Sequence, residues 1–179
     1  MDKSIRLRPL FSVLIIAILV IIDQLSKYIM LVNLSDAPMG VSVINGVFSL
    51  IYVENTGISF SMFSGKMIFI IIVTLVILLL LVYVLIRTPK TRYFLPFSIT
   101  LSVIIAGAVG NLIDRIIRGY VIDFISLDFI GFPIFNFADI CVCVGLFILV
   151  LLIFIRYKDN DFGFIIRKGK EVGRDNDKL

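Results

Sequence analysis

The chain has 179 residues, 60% of them hydrophobic and only 17% charged, with a mean hydropathy of +1.10 and a net charge of +4. Soluble domains are nearer half apolar and a quarter charged, so a soluble single domain is excluded and an integral membrane protein is indicated. The positive balance calls for no nucleic acid. Thirteen of the seventeen Lys and Arg residues lie before residue 10, between Arg87 and Arg92, or from Arg156 onward, where the positive-inside rule gathers basic residues on one membrane face.

Four apolar spans follow one another. The first, about Leu10 to Leu31, has the basic start of a signal peptide. No small-x-small cleavage site follows it, however, and its apolar run continues through "DQLSKYIMLV", so it reads as a retained helix. The segment from Val32 to Lys66 is too long for a bare connection. Its "VSVINGVFSLIYVENTG" sets β-branched and aromatic residues around Asn45-Gly46, which predicts a small β-rich element on the outer membrane surface. The second span is about Met67 to Ile86, and a short basic loop leads to the third, about Phe94 to Ile113. A second outward segment, Asp114 to Phe135, precedes the fourth span, Asn136 to Ile155. The fold class is therefore an all-α membrane protein of four transmembrane helices with a small β-rich element outside. The unit runs from 1 to 156, and a charged tail, 157–179, reads as a solvated extension. Lys and Arg counts put both termini in the cytoplasm.

Two residue types narrow the chemistry. Cys141 and Cys143 are two apart on a helix, point in different directions, and suit neither a shared metal nor a mutual disulfide. The absence of histidine excludes a Ser-His or Cys-His nucleophile pair.

The polar residues of the spans gather toward one face. Asp23 lies fifteen residues after Arg8, about 22 Å higher at 1.5 Å per residue, in the outer third of a core about 30 Å thick. Asp139 lies seventeen residues before Arg156, about 25 Å above it. Asn111 and Asp114 arrive roughly 28 to 33 Å above Arg92, and Asp123 and Asn55 belong to the outer loops. Burying a charge at a helix centre costs roughly 2.5 to 3.5 kcal/mol, less near an interface.

Several of these groups have structural explanations. Asp23 and Lys27, acid first and four apart, suit an intrahelical ion pair. Asn111, Asp114, Arg115 and Arg118 share a face and suit an interfacial helix end. Asn136 suits a helix cap, and Gly107 and Gly110 suit close helix packing. Asp123 and Asp139 have no such explanation, because "YVIDFIS" and "FNFADIC" are apolar around them. Two carboxyls at one depth can share a proton, the ionised one activating water and the protonated one polarising a carbonyl. From the residues alone, that reading stands level with a proton or ion pathway.

The motifs add a resemblance. "DQLSK" at Asp23 to Lys27, "ENTGISF" at Glu54 to Phe60, "GNLIDRIIRGYVIDFI" at Gly110 to Ile125 and "FNFAD" at Phe135 to Asp139 resemble, in order, the bacterial lipoprotein signal peptidases, or type II signal peptidases. The resemblance covers the chain to about residue 156. It implies a membrane aspartic endopeptidase of the bacterial cytoplasmic membrane that removes signal peptides from prolipoproteins, just before a cysteine carrying diacylglycerol. It implies Asp123 and Asp139 as the catalytic pair, with Asp23, Lys27, Asn55, Asn111, Asp114, Arg115 and Asn136 orienting it and holding substrate. No metal or cofactor is implied, the partners are lipidated prolipoproteins and membrane lipid, and a monomer is the default. One departure stands out: after "NTG" the family usually has small alanines, whereas "IS" precedes Phe60 here, which bears on substrate fit. Two other readings remain: a hydrolase using Lys27 as base, and a small proton-coupled transporter.

Overall fold

The computed structural model describes residues 8–37, 40–57 and 67–166. Four helices in it are long and apolar enough to cross a membrane: α1 (Arg8–Leu34), α2 (Met67–Arg87), α3 (Leu95–Ile117) and α4 (Phe137–Ile155). Three strands, β1 (Val41–Ile44), β2 (Phe48–Asn55) and β3 (Val121–Leu127), form one antiparallel sheet in the order β1-β2-β3.

The central helix is α3. Phe97, Leu101, Ile104, Ile105, Ala106 and Leu112 are buried along it, and it packs against the other three helices. Those three turn long apolar side chains such as Ile18, Leu79 and Phe147 outward, as lipid-facing helices do. The hydroxyls inside α3 are spent within the helix, Ser98 Oγ donating to Phe94 O at 3.1 Å and Ser102 Oγ to Ser98 O at 2.8 Å. Small residues let α3 and α4 approach closely. A Cβ at Gly107 would meet Ala138 O and Cys141, and one at Gly145 would meet Ile104. Of the two cysteines, Cys141 is buried and Cys143 exposed, and both are free.

The hairpin expected around Asn45-Gly46 forms there, Gly46 supplying the positive φ of +72° that the turn requires. The outer segment after α3 differs from the sequence reading in two ways. First, α3 continues past Ile113 to Ile117, so Asp114 and Arg115 are helical rather than part of a loop. An Asp114–Arg118 ion pair four residues apart spans this last turn. Second, residues 121–127 form a third strand on β2, with Val53 opposite Asp123 and Asn55 opposite Val121. An irregularity between Leu50 and Val53 inserts one extra residue into β2.

The tail also departs from expectation. Residues 157–166 do not leave the bundle as a solvated extension. A 3-10 turn (Asp159–Phe162) and a short helix α5 (Gly163–Ile166) fold back. Tyr157 and Phe164 are buried against Phe94, Phe97 and Leu101, because these aromatic rings offer far more apolar surface than the neighbouring charges can keep in water.

Candidate active site

Asp123 and Asp139 come from different elements, and backbone pairing brings those elements together. After β3 the chain turns and returns, and Phe135 bridges Ile125. Phe135 O accepts from the N–H groups of Phe124 and Ile125 at 3.0 and 2.8 Å, and Phe135 N–H donates to Ile125 O at 3.1 Å. The next residue, Asn136, therefore begins α4 beside the strand carrying Asp123.

Asn136 caps α4. Its Oδ1 accepts from Asp139 N–H at 3.0 Å, and its own N–H donates to Asp139 Oδ2 at 3.1 Å, a reciprocal capping box. Its remaining group, Nδ2, donates to Asp123 Oδ1 at 2.6 Å and to Asn111 Oδ1 at 3.2 Å. One fully buried asparagine thus holds both carboxylates, Asp123 through its side chain and Asp139 through its backbone N–H. The other oxygen of Asp123 accepts from Asn55 Nδ2 at 2.8 Å. Asn55 is two positions from Val53, the residue opposite Asp123, so the two side chains are diagonal neighbours on one sheet face. The other oxygen of Asp139 accepts from Asn111 Nδ2 at 2.8 Å.

Asp123 is 3% exposed. Burial pushes its carboxyl up to about 6, the Asn55 hydrogen bond opposes that shift, the charge of Asp139 adds to it, and Asn136 opposes it. A group at this value gains and loses its proton near neutrality, as a general acid or base must.

Behind the carboxylates lies a buried charge network. Lys27 Nζ is 0% exposed and reaches Asp23 Oδ2 and Asp114 Oδ2, each at 2.9 Å, and Asn111 Oδ1 at 3.0 Å. All three ammonium donors are committed to Asp23, Asp114 and Asn111, and among the described residues none meets a serine that the lysine-base reading would require. Receiving Lys27 and Asn136 on its Oδ1 also fixes which way the Asn111 amide faces, and so turns its Nδ2 to Asp139. Asp23 Oδ1 accepts from Ala138 N–H at 3.0 Å, satisfying an otherwise orphaned donor in the first turn of α4. The Asp23–Lys27 pair read from the sequence is present, and it also spans three helices.

Arg115 reaches across the site. Its guanidinium donates to Gly57 O at 3.2 Å and Asn111 O at 3.4 Å, and it lies close enough to interact with the charges of Asp139, Asp123 and Asp114. Its buried Nε has no hydrogen-bond partner among the described residues. Ile58, Ser59 and Phe60, where the sequence departs from the usual pattern, lie outside the described residues.

All nine residues singled out from the sequence meet at this end of the bundle. Two further residues take part: Gln24, which the sequence reading did not single out, and Arg118, which it read only as part of an interfacial helix face. Gln24 Nε2 lies 3.1 Å from Asp23 Oδ2, 3.2 Å from Gly110 O and 3.2 Å from Asp114 Oδ1. Arg118 pairs with Asp114 Oδ1 at 2.5 Å. The only sequence signal of Gln24 is position, a glutamine inside an apolar span beside an acid, whereas Arg118 shares the helix face of Asn111, Asp114 and Arg115.

Residues 15–155 match the family model described as signal peptidase (SPase) II. The lipoprotein signal peptidase of Enterococcus faecalis is 42% identical over 142 residues, 79% of this chain and 84% of that protein. That of Caldanaerobacter subterraneus subsp. tengcongensis is 42% identical over 146 residues, 80% of this chain and 96% of that one. A solved bacterial membrane enzyme, determined by the in meso method at 2.3 Å resolution, superposes with a TM-score of 0.72 at 33% identity. The match covers 90% of this chain and 94% of that one.

Proposed function

The chain belongs to the signal peptidase II family, and on that premise we propose that Asp123 and Asp139 are the carboxyl pair with which it cuts. It is a membrane protease of the aspartic type that removes signal peptides from prolipoproteins. A transporter reading finds no support in a family of peptidases.

The single observation that carries the assignment is the bridge made by Asn136, which donates to Asp123 through its side chain and to Asp139 through its backbone. A buried carboxyl and a half-buried one joined through one asparagine can divide the work of acid and base. The ionised member takes a proton from water, and the water oxygen attacks the scissile carbonyl carbon. The protonated member meanwhile donates to the carbonyl oxygen, so that a neutral gem-diol forms. Collapse of that intermediate returns a proton to the first carboxyl's partner and delivers one to the departing amine. Asn55 holds one oxygen of Asp123 and Asn111 one of Asp139, and Arg115, which donates to Gly57 O, interacts with both charges.

The placement suits a lipidated substrate. A diacylglyceryl cysteine keeps its acyl chains in one leaflet, and a signal helix before it crosses the bilayer, so the bond just before that cysteine lies near a membrane surface. The pair sits at one end of the helices, at the first turn of α4. The basic clusters at the other end support cytoplasmic termini in a bacterial cytoplasmic membrane, with the site outside, and the enzyme acts as a monomer.

The test is cleavage of a diacylglyceryl-modified prolipoprotein by the purified protein, beside the unmodified precursor and the Asp123→Asn and Asp139→Asn variants. Cutting of the lipidated precursor alone, abolished in both folded variants, is the expected result. Cutting by both variants would discard the dyad.

A further inference from the structure

The far end of the sheet carries a second feature with a physical claim on the membrane. Phe48 pairs with Leu127, and Asp128 N–H donates to Val47 O at 3.0 Å. The tip of the β1–β2 hairpin therefore lies beside the turn that follows β3. Together they present Ile44 and Val47, 55 and 43% exposed, and Phe129, Ile130 and Phe132, 62, 55 and 51% exposed.

The rim carries one charge, the exposed carboxylate of Asp128. No Lys, Arg, Asp or Glu occurs between residues 40 and 53 or between 129 and 135. The one acid between them, Asp128, has both oxygens engaged, by Ser49 Oγ at 2.5 Å and Ser126 Oγ at 2.7 Å. These hydroxyls hold its carboxyl below the ordinary carboxylate range. A patch of this kind facing water is rare on a protein surface and marks a contact site.

Its position selects the contact. Helix α4 has 19 residues, about 28 Å at 1.5 Å per residue, close to the thickness of a hydrocarbon core. Asn136 at its start is thus at the boundary, and Phe132 lies four residues earlier in the chain, its ring edge-on to Phe135 at 5.7 Å. Below that boundary the outward side chains of α4, Ile140, Val144 and Phe147, are exposed in their turn. Rim and helix thus present apolar side chains on either side of that boundary, with Asp128 the charged group beside the rim.

We propose that this rim is inserted into the lipid interface at the site end of the bundle, a second membrane anchor for the sheet that carries Asp123. Aliphatic and phenyl groups without basic residues suit the acyl-headgroup boundary itself rather than attraction to anionic headgroups. The anchoring holds the sheet at the bilayer surface at its distal end as well as where it meets the helices.

The chain contains no tryptophan, so a single introduced indole reports its own surroundings. Phe129→Trp and, separately, Ile130→Trp are reconstituted in phosphatidylcholine vesicles containing lipids brominated high or low on the acyl chain. Phe147→Trp, midway along α4, serves as the reference for a lipid-buried site, and circular dichroism verifies folding. The expected result is a blue-shifted emission, quenched more by the shallow bromines than by the deep ones and shielded from aqueous iodide. Iodide quenching without bromolipid quenching means the rim is in water and overturns the proposal. Blue-shifted emission that neither quencher reaches means protein covers the rim, a second copy included, and overturns it equally. The readout is independent of cleavage, so it stands or falls apart from the assignment of the carboxyl pair.

Discussion

Asn136 Nδ2 donates to Asp123 Oδ1 at 2.6 Å, so the residue that caps α4 also holds the strand carboxylate. The two tasks separate in Asn136→Ser. Serine is as good a cap, but its shorter side chain does not span the gap to Asp123. Melting of the purified variant should change by about 1 kcal/mol, while the cleavage rate should fall roughly 100-fold, the scale of a misplaced acid-base group. Loss of rate no greater than the loss of folded protein would reduce Asn136 to a cap.

The Asp123 carboxyl, raised by burial to about 6 from the ordinary 3.8, makes the protein pH-sensitive. Folding favours the protonated form of this group. Its contribution to stability is therefore complete below 3.8 and is lost as pH rises through about 6. Thermal melting of Asp123→Asn across that window should be flatter than that of the parent. In Asn55→Ala a donor that favours the carboxylate is removed, so the Asp123 value rises further. The limb of the pH–rate profile that reports the pair should then move to higher pH. A limb that moves to lower pH would contradict the role given to Asn55. The measured value belongs to the coupled pair rather than to either acid alone.

Lys27 is the one cation shared by Asp23 and Asp114 in the core of the bundle. Lys27→Met keeps the length of the side chain but leaves Asp23 without its ion-pair partner and Asp114 with Arg118 alone. Breaking a buried pair on one side costs about 3–5 kcal/mol. The variant should unfold at markedly lower temperature in detergent, and any folded fraction should cut slowly because Asn111 is no longer oriented toward Asp139. Wild-type melting with normal cutting would show that the network is dispensable.

What was legible in the sequence was local or chemical. Asn45-Gly46 announces its hairpin because turn geometry depends on two residues. The four spans announce themselves because a hydrocarbon core demands long apolar runs. Asp123 and Asp139 stand out because carboxyls are costly in apolar surroundings. The run "VIDFISL" did not announce a strand: a short apolar segment fits helix or strand until its partner is known, and its partner β2 lies some 68 residues earlier, as the Asn55–Asp123 bond shows. Gln24 was missed for the same reason, since its contacts at Gly110 and Asp114 are 86 and 90 residues away. Residues 157–166 depart from the reading of a solvated tail because the buried rings of Tyr157 and Phe164 outweigh the charges around them.

At Gly110, α3 packs against Asp23 of α1 with no room for a side chain. A Cβ there would collide with the Asp23 carboxylate and touch Ala138 Cβ. Gly110→Ala should push Asp23 off the Ala138 N–H and shift the start of α4, with an overpacking cost of about 1–3 kcal/mol. By contrast Gly46→Asn, at a hairpin turn open to solvent, should be tolerated, since asparagine accepts positive φ and nothing lies within 4 Å of the added carbon. Melting curves of the two variants, measured side by side, distinguish crowding at α1 from any general intolerance of glycine replacement.

The segment after α4 closes the end of the bundle opposite the site. Phe164 O accepts from Arg87 Nε and NH2 at 3.0 and 2.8 Å, and Tyr93 Oη donates to Arg156 O at 2.7 Å or to Asp161 Oδ2 at 2.9 Å. The buried rings of Tyr157 and Phe164 stack on or abut Phe94 at 5.3 and 5.4 Å. Each such ring contributes about 1.5–3 kcal/mol by its burial. Phe164→Ala should therefore lower the melting temperature by several degrees while leaving cleavage per folded molecule unchanged, because the pair lies at the far end of α4. A truncation after Ile166 retains both rings and Ile165, whose carbonyl accepts from Tyr83 Oη, and should melt close to the parent. If instead that truncation destabilises as much as Phe164→Ala, the charged residues from Arg167 onward contribute as much to this end as the aromatic packing.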